Sequence, residues 1–317
     1  MQAPSDLPKD VLEIHEDIRT MKIRGAGRIA RAVAMALSKA AAAFVGNDVT
    51  DFVKYMEETA AFLRGARPTA VSLPNAISFV MRRLREEEIT TVEEGRRAVE
   101  DAAKEFVEYS ERAVDEIGEL GARRFRSGDV VMTHCHSSAA AAVLAAAHAA
   151  GKVDRVYVKE TRPRLQGLIA ARALANAGLD VILIPDSAVR YFMKDVDRVI
   201  VGADAVAANG AVVNKIGTSV VALAAKEARV NFYVAAETYK FSPKTLIGEL
   251  VPIEFRDPEE VVGREWLQEH PNVEVLNPVF DVTPAEYIDA IITERGVISP
   301  YAAPLILLEE YGVSAWD

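Results

Sequence analysis

The sequence predicts an α/β protein in which a helical N-terminal domain precedes a doubly wound, Rossmann-like parallel-sheet domain. Three observations carry that expectation. The first 120 or so residues repeat apolar side chains at helical spacing, with few β-branched runs. Beyond Gly128 the pattern changes to short, continuously apolar, β-rich runs with helical stretches between them, the signature of βαβ units. A chain of 317 residues is also long enough for about two domains at roughly 150 residues each.

In chain order, helices are expected over 26–44, 49–63, 73–88 and 91–120, with Ala98, Ala102, Phe106, Ala113 and Ile117 marking one face of the last. Arg67-Pro68 and Leu73-Pro74 punctuate this region, because the residue before a proline is pushed out of the helical well. The change in pattern between Gly121 and Gly128 divides the chain into 1–122 and 123–317. Strands follow over 130–133, 155–158, 181–184, 198–201 and 231–235, and their unbroken apolar character means a sheet covered on both faces. Ligands of such sheets sit beyond the carboxyl ends of the strands, where the strand order reverses, so the residues after each run are where chemistry is sought.

Composition narrows the function classes. Lys plus Arg number 37 against 47 Asp plus Glu, a net charge of −10, and nonspecific nucleic-acid binding needs a basic face that this balance disfavours. A small anionic substrate is compatible if a few cations gather in one pocket. Half the residues are hydrophobic and 26% are charged, as in globular proteins. The lone cysteine, Cys135, cannot form an intramolecular disulfide, which fits a reducing compartment. The Ala-rich stretch 29–45 is broken by Arg31 and Lys39 and 139–150 is too short to span a bilayer, so no membrane segment is expected. The N-terminus shows no basic n-region with an apolar h-region, and the cytoplasm is the expected location.

The strand ends hold the reactive groups. After the first strand comes Thr133-His134-Cys135-His136-Ser137-Ser138 and an Ala-rich helix. A thiol facing a helix N-terminus feels a positive dipole that favours thiolate, so Cys135 is a candidate nucleophile or base; a buried inert thiol is the alternative. His134 and His136 alternate to the opposite face, and with no second Cys pair a zinc site is not expected. His148 lies in the following helix and reads as packing. The second strand runs into Lys159 through Gly167, a loop dense in polar and cationic groups that opens a helix near Gln166 and suits an anion. Asp204 follows the fourth strand, either as a general acid with a raised pKa or as a helix N-cap. Asn209-Gly210 reads as a turn, and Asn214-Lys215-Ile216-Gly217-Thr218 as an amide, an ammonium and a glycine opening a helix. Lys240 ends the segment after the fifth strand. Gly25-Ala26-Gly27-Arg28-Ile29-Ala30 superficially matches a dinucleotide fingerprint, but no buried strand precedes it; with Arg24 it suits a phosphate cradle at a helix start.

Taken together, Arg24-Gly25-Ala26-Gly27, Arg67-Pro68-Thr69-Ala70, His134-Cys135-His136-Ser137, Glu160-Thr161-Arg162-Pro163, Gln166-Gly167, Gly202-Ala203-Asp204 and Asn214 to Thr218 resemble, in order and over nearly the whole chain, one family. It comprises the translation initiation factor 2B alpha, beta and delta subunits, the methylthioribose-1-phosphate isomerases and the archaeal ribose-1,5-bisphosphate isomerases. The first and third motifs are most similar to the ribose-bisphosphate branch; the methylthioribose enzymes carry Arg-Gly-Ala-Pro and an Asn-Thr-Gly after the cysteine, and this sequence departs from both.

The resemblance implies an aldose-ketose isomerase acting on α-D-ribose 1,5-bisphosphate in AMP degradation that feeds a RuBisCO. Cys135 would be the base at C2 and Asp204 the acid at the ring oxygen, with a hydride shift from C2 to C1 as the competing route. The implied substrate-binding residues are Arg24, Gly25, Ala26, Gly27, Arg67, Ser137, Ser138, Ala139, Gln166, Asn214, Lys215 and Lys240. Ser137 to Ala139 would hold one phosphate, and Arg24 to Gly27 with Arg67 the other. No cofactor or metal is implied. AMP is the implied activating nucleotide, and a dimer-based homo-oligomer, up to a hexamer, the implied assembly. The alternatives are a regulatory initiation-factor subunit, which binds sugar phosphates or nucleotides and acts through partners, and a methylthioribose-1-phosphate isomerase.

Overall fold

A computed structural model of the chain describes residues 4, 6–86 and 88–312. Glu87, near the end of the helix expected over 73–88, lies outside the described residues, as do residues 1–3 and 5 of the N-terminal reading. The chain divides into two compact units between Arg112 and Ala113.

The first unit is helical, with α1 (Lys9–Arg19), α2 (Ala26–Ala43), α3 (Val49–Arg64), α4 (Ser72–Glu86) and α5 (Val92–Ala122), which continues into the second unit. Ile29, Val33 and Leu37 of α2 and Leu73, Ile77 and Val80 of α4 are fully buried, and α2 and α4 make the most extensive packing of the unit. The alanines of α2, among them Ala30, Ala34 and Ala40, let the neighbouring helix approach closely. Local sequence sets the helix starts. Asp48 accepts from the Asp51 N–H at the head of α3, and α5 opens on a reciprocal box in which Thr91 Oγ1 accepts from Glu94 N–H while Glu94 Oε2 accepts from Thr91 N–H.

The second unit contains β1 (Asp129–Thr133), α6 (Ser138–Ala149), β2 (Val153–Lys159), α7 (Gln166–Asn176), β3 (Asp180–Ile184), α8 (Val189–Phe192), β4 (Arg198–Gly202), β5 (Ala205–Val206), β6 (Val212–Lys215), α9 (Thr218–Ala228), β7 (Asn231–Ala235), α10 (Arg264–Glu269), β8 (Phe280–Thr283), β9 (Ala290–Thr293), β10 (Gly296–Ile298) and α11 (Ala303–Tyr311). The main sheet has the order β3-β2-β1-β4-β7-β9-β10; every pair is parallel except β9 with β10. A smaller antiparallel sheet has the order β5-β6-β8.

The period-two geometry of a strand explains the two cores. Met132, Val199 and Val201 face one side, with Val221, Ala222 and Ala225 of α9; Val131, Val156, Val158 and Ile200 face the other, with Val143, Leu144 and Ala147 of α6. Each fully buried Val, Leu or Ile contributes about 1.5–3 kcal/mol. The α/β, doubly wound expectation is therefore met. Gly217 caps the start of α9 as expected, Asn214 and Lys215 end β6, and β7 is followed by further strands, β9 and β10, on the same sheet. The strand order reverses between β1 and β4, so residues just past those two strands flank the ligand crevice of such a sheet.

Candidate active site

Cys135 lies two residues beyond β1 and Asp204 two residues beyond β4, the two strands at the reversal. Their closeness has a local cause at Gly202. A Cβ there would lie 2.4 Å from both Cβ and Oγ of Ser137, so only glycine lets the end of β4 meet the start of α6. Asp204 is half-buried and its N–H donates to Val213 O at 2.9 Å. It leads into β5 and is not a helix N-cap, which removes that alternative. The α6 cap is Ser137, whose Oγ accepts from Ala140 N–H at 3.2 Å.

The backbone at Cys135 is strained. Its φ is +64°, and that of the fully buried Thr161 is +61°. Non-glycine residues enter this region at a cost on the order of 1–3 kcal/mol, and a β-branched residue there is an outlier. The two are hydrogen bonded: Cys135 N–H donates to Thr161 Oγ1 at 3.1 Å. His134 supports the same loop. Its Nε2 lies 2.9 Å from Ile216 O, which can only accept, so Nε2 carries the proton and Nδ1 is an acceptor 3.3 Å from the Thr161 hydroxyl, which also lies 3.1 Å from Lys159 O. Burial, helped by the Lys159 charge, pushes the His134 pKa down to about 3, so the ring is neutral.

Burial acts on the thiol in the opposite sense and pushes Cys135 up to about 11. The Lys215 charge and the His136 backbone N–H pull it back, while Asp204 and Asp186 push it further up. This corrects the expectation of a resting thiolate: the dipole at the start of α6 is outweighed by desolvation, and Cys135 rests as a thiol.

Lys215 and Asn214 are buried at the end of β6. Asn214 Nδ2 donates to Thr218 Oγ1 at 3.0 Å, and Lys215 Nζ sits 5.1 Å above the Phe280 ring. The turn between β6 and α9 is fastened from β8, where Asp281 accepts from Gly217 N–H at 2.7 Å and from Ser219 Oγ at 2.8 Å. Lys159, only 1% exposed at the end of β2, donates to Gly217 O at 3.3 Å and lies 3.7 Å from Asp186 Oδ1. Burial lowers its pKa, and Asp186 and Asp281 oppose that.

Gln166 begins α7, and its Oε1 is buried without a hydrogen-bond partner among the described residues. The loop before it folds back onto β2 so tightly that a Cβ on Gly167 would lie 1.7 Å from Lys159 O. Ser138 is exposed and Ala139 buried in the first turn of α6, where helix geometry leaves backbone N–H groups without intrahelical acceptors. Lys240 departs from its expected use: its ammonium is 2.6 Å from Oε2 of the fully buried Glu237, whose Oε1 accepts from Tyr239 OH at 3.0 Å. Its charge is therefore already matched by a carboxylate. His148 sits in the last turn of α6 with Nδ1 2.8 Å from Val153 O, a structural bond.

In the helical unit Gly25, at φ +90°, precedes α2, so Ala26 and Gly27 form its first turn beside the half-buried Arg24. Arg67 is half-buried in the segment between α3 and α4. Ser72 Oγ donates to Ala26 O at 2.9 Å and ties the heads of α2 and α4 together.

The model of the Initiation factor 2 subunit family matches residues 22–300. The chain belongs to that family. Among curated members, the ribose 1,5-bisphosphate isomerase of Thermococcus kodakarensis is 53% identical over 307 residues, covering 96% of this chain and 95% of that protein. Two solved structures from Pyrococcus horikoshii share the fold. The translation initiation factor eIF-2B is 34% identical with a TM-score of 0.79, covering 93% of this chain and 98% of that one. The 5-methylthioribose 1-phosphate isomerase is 31% identical with a TM-score of 0.76, covering 96% and 88%. In this member of the Initiation factor 2 subunit family, the sequence reading missed Thr161, Asp186, Glu237 and Asp281 as site-building residues. Glu237, three residues before Lys240, was the one local signal available.

Proposed function

We propose that this protein is an aldose-ketose isomerase that converts α-D-ribose 1,5-bisphosphate to D-ribulose 1,5-bisphosphate, with Cys135 and Asp204 as its acid-base pair. The observation that carries the reading is a thiol and a carboxylate beyond the two strands at the sheet's reversal, the thiol under the charges of both Asp204 and Lys215, in a chain 53% identical to a ribose 1,5-bisphosphate isomerase. The substrate's ring must open before its C2 proton can move, and opening requires a proton on the ring oxygen. Cys135, a thiol at rest, donates it and becomes a thiolate near the Lys215 charge. Asp204 takes the C2 proton and returns it to C1, and the C2 hydroxyl proton passes to the Cys135 thiolate as the carbonyl forms. These roles reverse those expected from the sequence, because the raised thiol pKa leaves the proton on sulfur.

The pH profile tests that reversal. With Cys135 as the acid, kcat is expected to stay level between pH 7 and 9 and to fall as pH approaches about 11. A base that had first to be made by deprotonating this thiol would instead raise kcat about tenfold per pH unit across the same interval, and a resting thiolate would leave kcat level with no fall toward pH 11.

The backbone N–H groups of Ser138 and Ala139 with the Ser137 cap, together with Gln166, Asn214 and Lys215, are assigned to substrate binding, as are Arg24, Gly25, Ala26, Gly27 and Arg67. Lys240 is assigned there too, with its charge already matched by Glu237. Assembly as a homo-oligomer and activation by AMP complete the proposal. Light scattering, and assays with and without AMP, read these two parts.

The deciding experiment supplies purified protein with ribose 1,5-bisphosphate and follows ribulose 1,5-bisphosphate. Its kcat/KM is expected to exceed that for methylthioribose 1-phosphate by at least about tenfold, because an apolar 5-substituent leaves the second phosphate site unmatched. Comparable values would move the protein to the methylthioribose branch, and turnover of neither would favour a regulatory subunit.

A further inference from the structure

The carboxyl edge of the sheet carries a row that starts at Cys135 and continues through residues to which the acid-base chemistry gives no part. Cys135, Thr161 and Asp186 each lie two residues beyond their strand, and β1, β2 and β3 are adjacent and parallel. Hydrogen bonds join them across the row. Cys135 N–H donates to Thr161 Oγ1 at 3.1 Å, Thr161 N–H donates to Asp186 Oδ1 at 3.1 Å, and Arg162 N–H donates to Asp186 Oδ2 at 2.6 Å. The first two members are in the left-handed conformation although neither is glycine. Such strain persists only where the surroundings over-determine it, and the residue it displaces here is the thiol assigned to catalysis.

We infer that Thr161 is a positioning residue: its hydroxyl holds the Cys135 backbone in the left-handed conformation and so aims the thiol, while Asp186 anchors Thr161 from the next strand. The chemistry of the side chain suits the task. Thr161 Oγ1 accepts from Cys135 N–H with one lone pair and has a proton to give to His134 Nδ1 at 3.3 Å or Lys159 O at 3.1 Å. Serine can do both, whereas valine, of nearly the same shape, can do neither.

The consequence for turnover rests on the isomerase reading; the consequence for the thiol does not. Because the chain has one cysteine, alkylation by iodoacetamide reports on Cys135 alone. The charged groups facing the thiol are Lys215 from β6, Lys159 at the end of β2, Asp204 beyond β4 and Asp186 beyond β3, and a change of the Thr161 side chain leaves all four in place. Thr161→Val is expected to lower kcat at least tenfold with KM for ribose 1,5-bisphosphate within threefold of wild type. It should also move the pH midpoint of alkylation by at least half a unit. Thr161→Ser is expected to restore both, and Asp186→Ala to lower kcat at least threefold. Thr161→Ala, which only removes atoms, repeats the Val measurements where the β-branched side chain does not fit.

A wild-type alkylation profile in folded Thr161→Val or Thr161→Ala would overturn the inference, as would equal impairment of the Val and Ser variants. If the wild-type protein does not isomerise ribose 1,5-bisphosphate, the functional reading fails, and the alkylation profiles still decide whether Thr161 positions the thiol.

Discussion

Cys135→Ser and Asp204→Asn are each expected to lower kcat by at least about 10²-fold while thermal unfolding stays close to that of the wild type. Both substitutions preserve size, and the hydrogen bonds that fix the two residues run through their backbones, from Cys135 N–H to Thr161 Oγ1 and from Asp204 N–H to Val213 O. The fold should therefore be indifferent to the exchange. The chemistry should not be. A serine hydroxyl is a far weaker acid than a thiol, and an amide cannot carry the C2 proton to C1. Because the two groups act as a unit, the double variant is expected to be little worse than the poorer single one. Full activity in either single variant, measured under saturating substrate, would remove that residue from the mechanism.

Acid is expected to destabilise the protein through His134. An unfolded histidine titrates near 6.5, whereas His134 in the folded chain titrates at about 3, because its ring is buried beside Lys159. The folded pKa is depressed, so the stability it confers is fully present above pH 6.5 and is lost as pH falls from there toward 3. Between those limits unfolding takes up one extra proton, worth about 1.36 kcal/mol per pH unit, or on the order of 3–4 kcal/mol by pH 4. Urea titrations at pH 7, 5.5 and 4.5 should show this slope in the wild type, and His134→Asn should lower the neutral-pH stability while removing that share of the slope. Equal slopes in the two proteins would mean that the ring is already protonated in the folded state.

Much of this architecture was legible because buried parallel strands leave a conspicuous trace. The runs at 130–133, 155–158, 181–184, 198–201 and 231–235 all lie within strands, and the residues after the first and fourth are the ones the fold brings to the reversal. β6 and β8 escaped notice because polar residues break their pattern: Asn214 and Lys215 in one, Asp281 in the other. The positioning row was hidden for a different reason. Thr161 and Asp186 acquire meaning only when three strand ends lie side by side, and no spacing in the chain announces that register. The thiolate expectation erred in weighing a helix dipole without the desolvation that only a packed structure reveals. Lys240 was counted as available charge although its partner lay three positions earlier.

The fastening of the Lys215 turn from β8 bears on how the protein comes into being. Every residue assigned to chemistry or to substrate binding lies at or before Lys240, yet β6 pairs with Phe280–Thr283, and Asp281 clasps Ser219 from 62 residues further along the chain. A nascent polypeptide can therefore possess all of its working side chains and still leave the turn between β6 and α9 unfastened. Distant pairings of this kind form late, since the intervening chain must be closed before the contact repays it. Competence would then arrive in one step during synthesis, when β8 emerges and docks, and a ribosome stalled before that point would carry a chain with no partial activity to release.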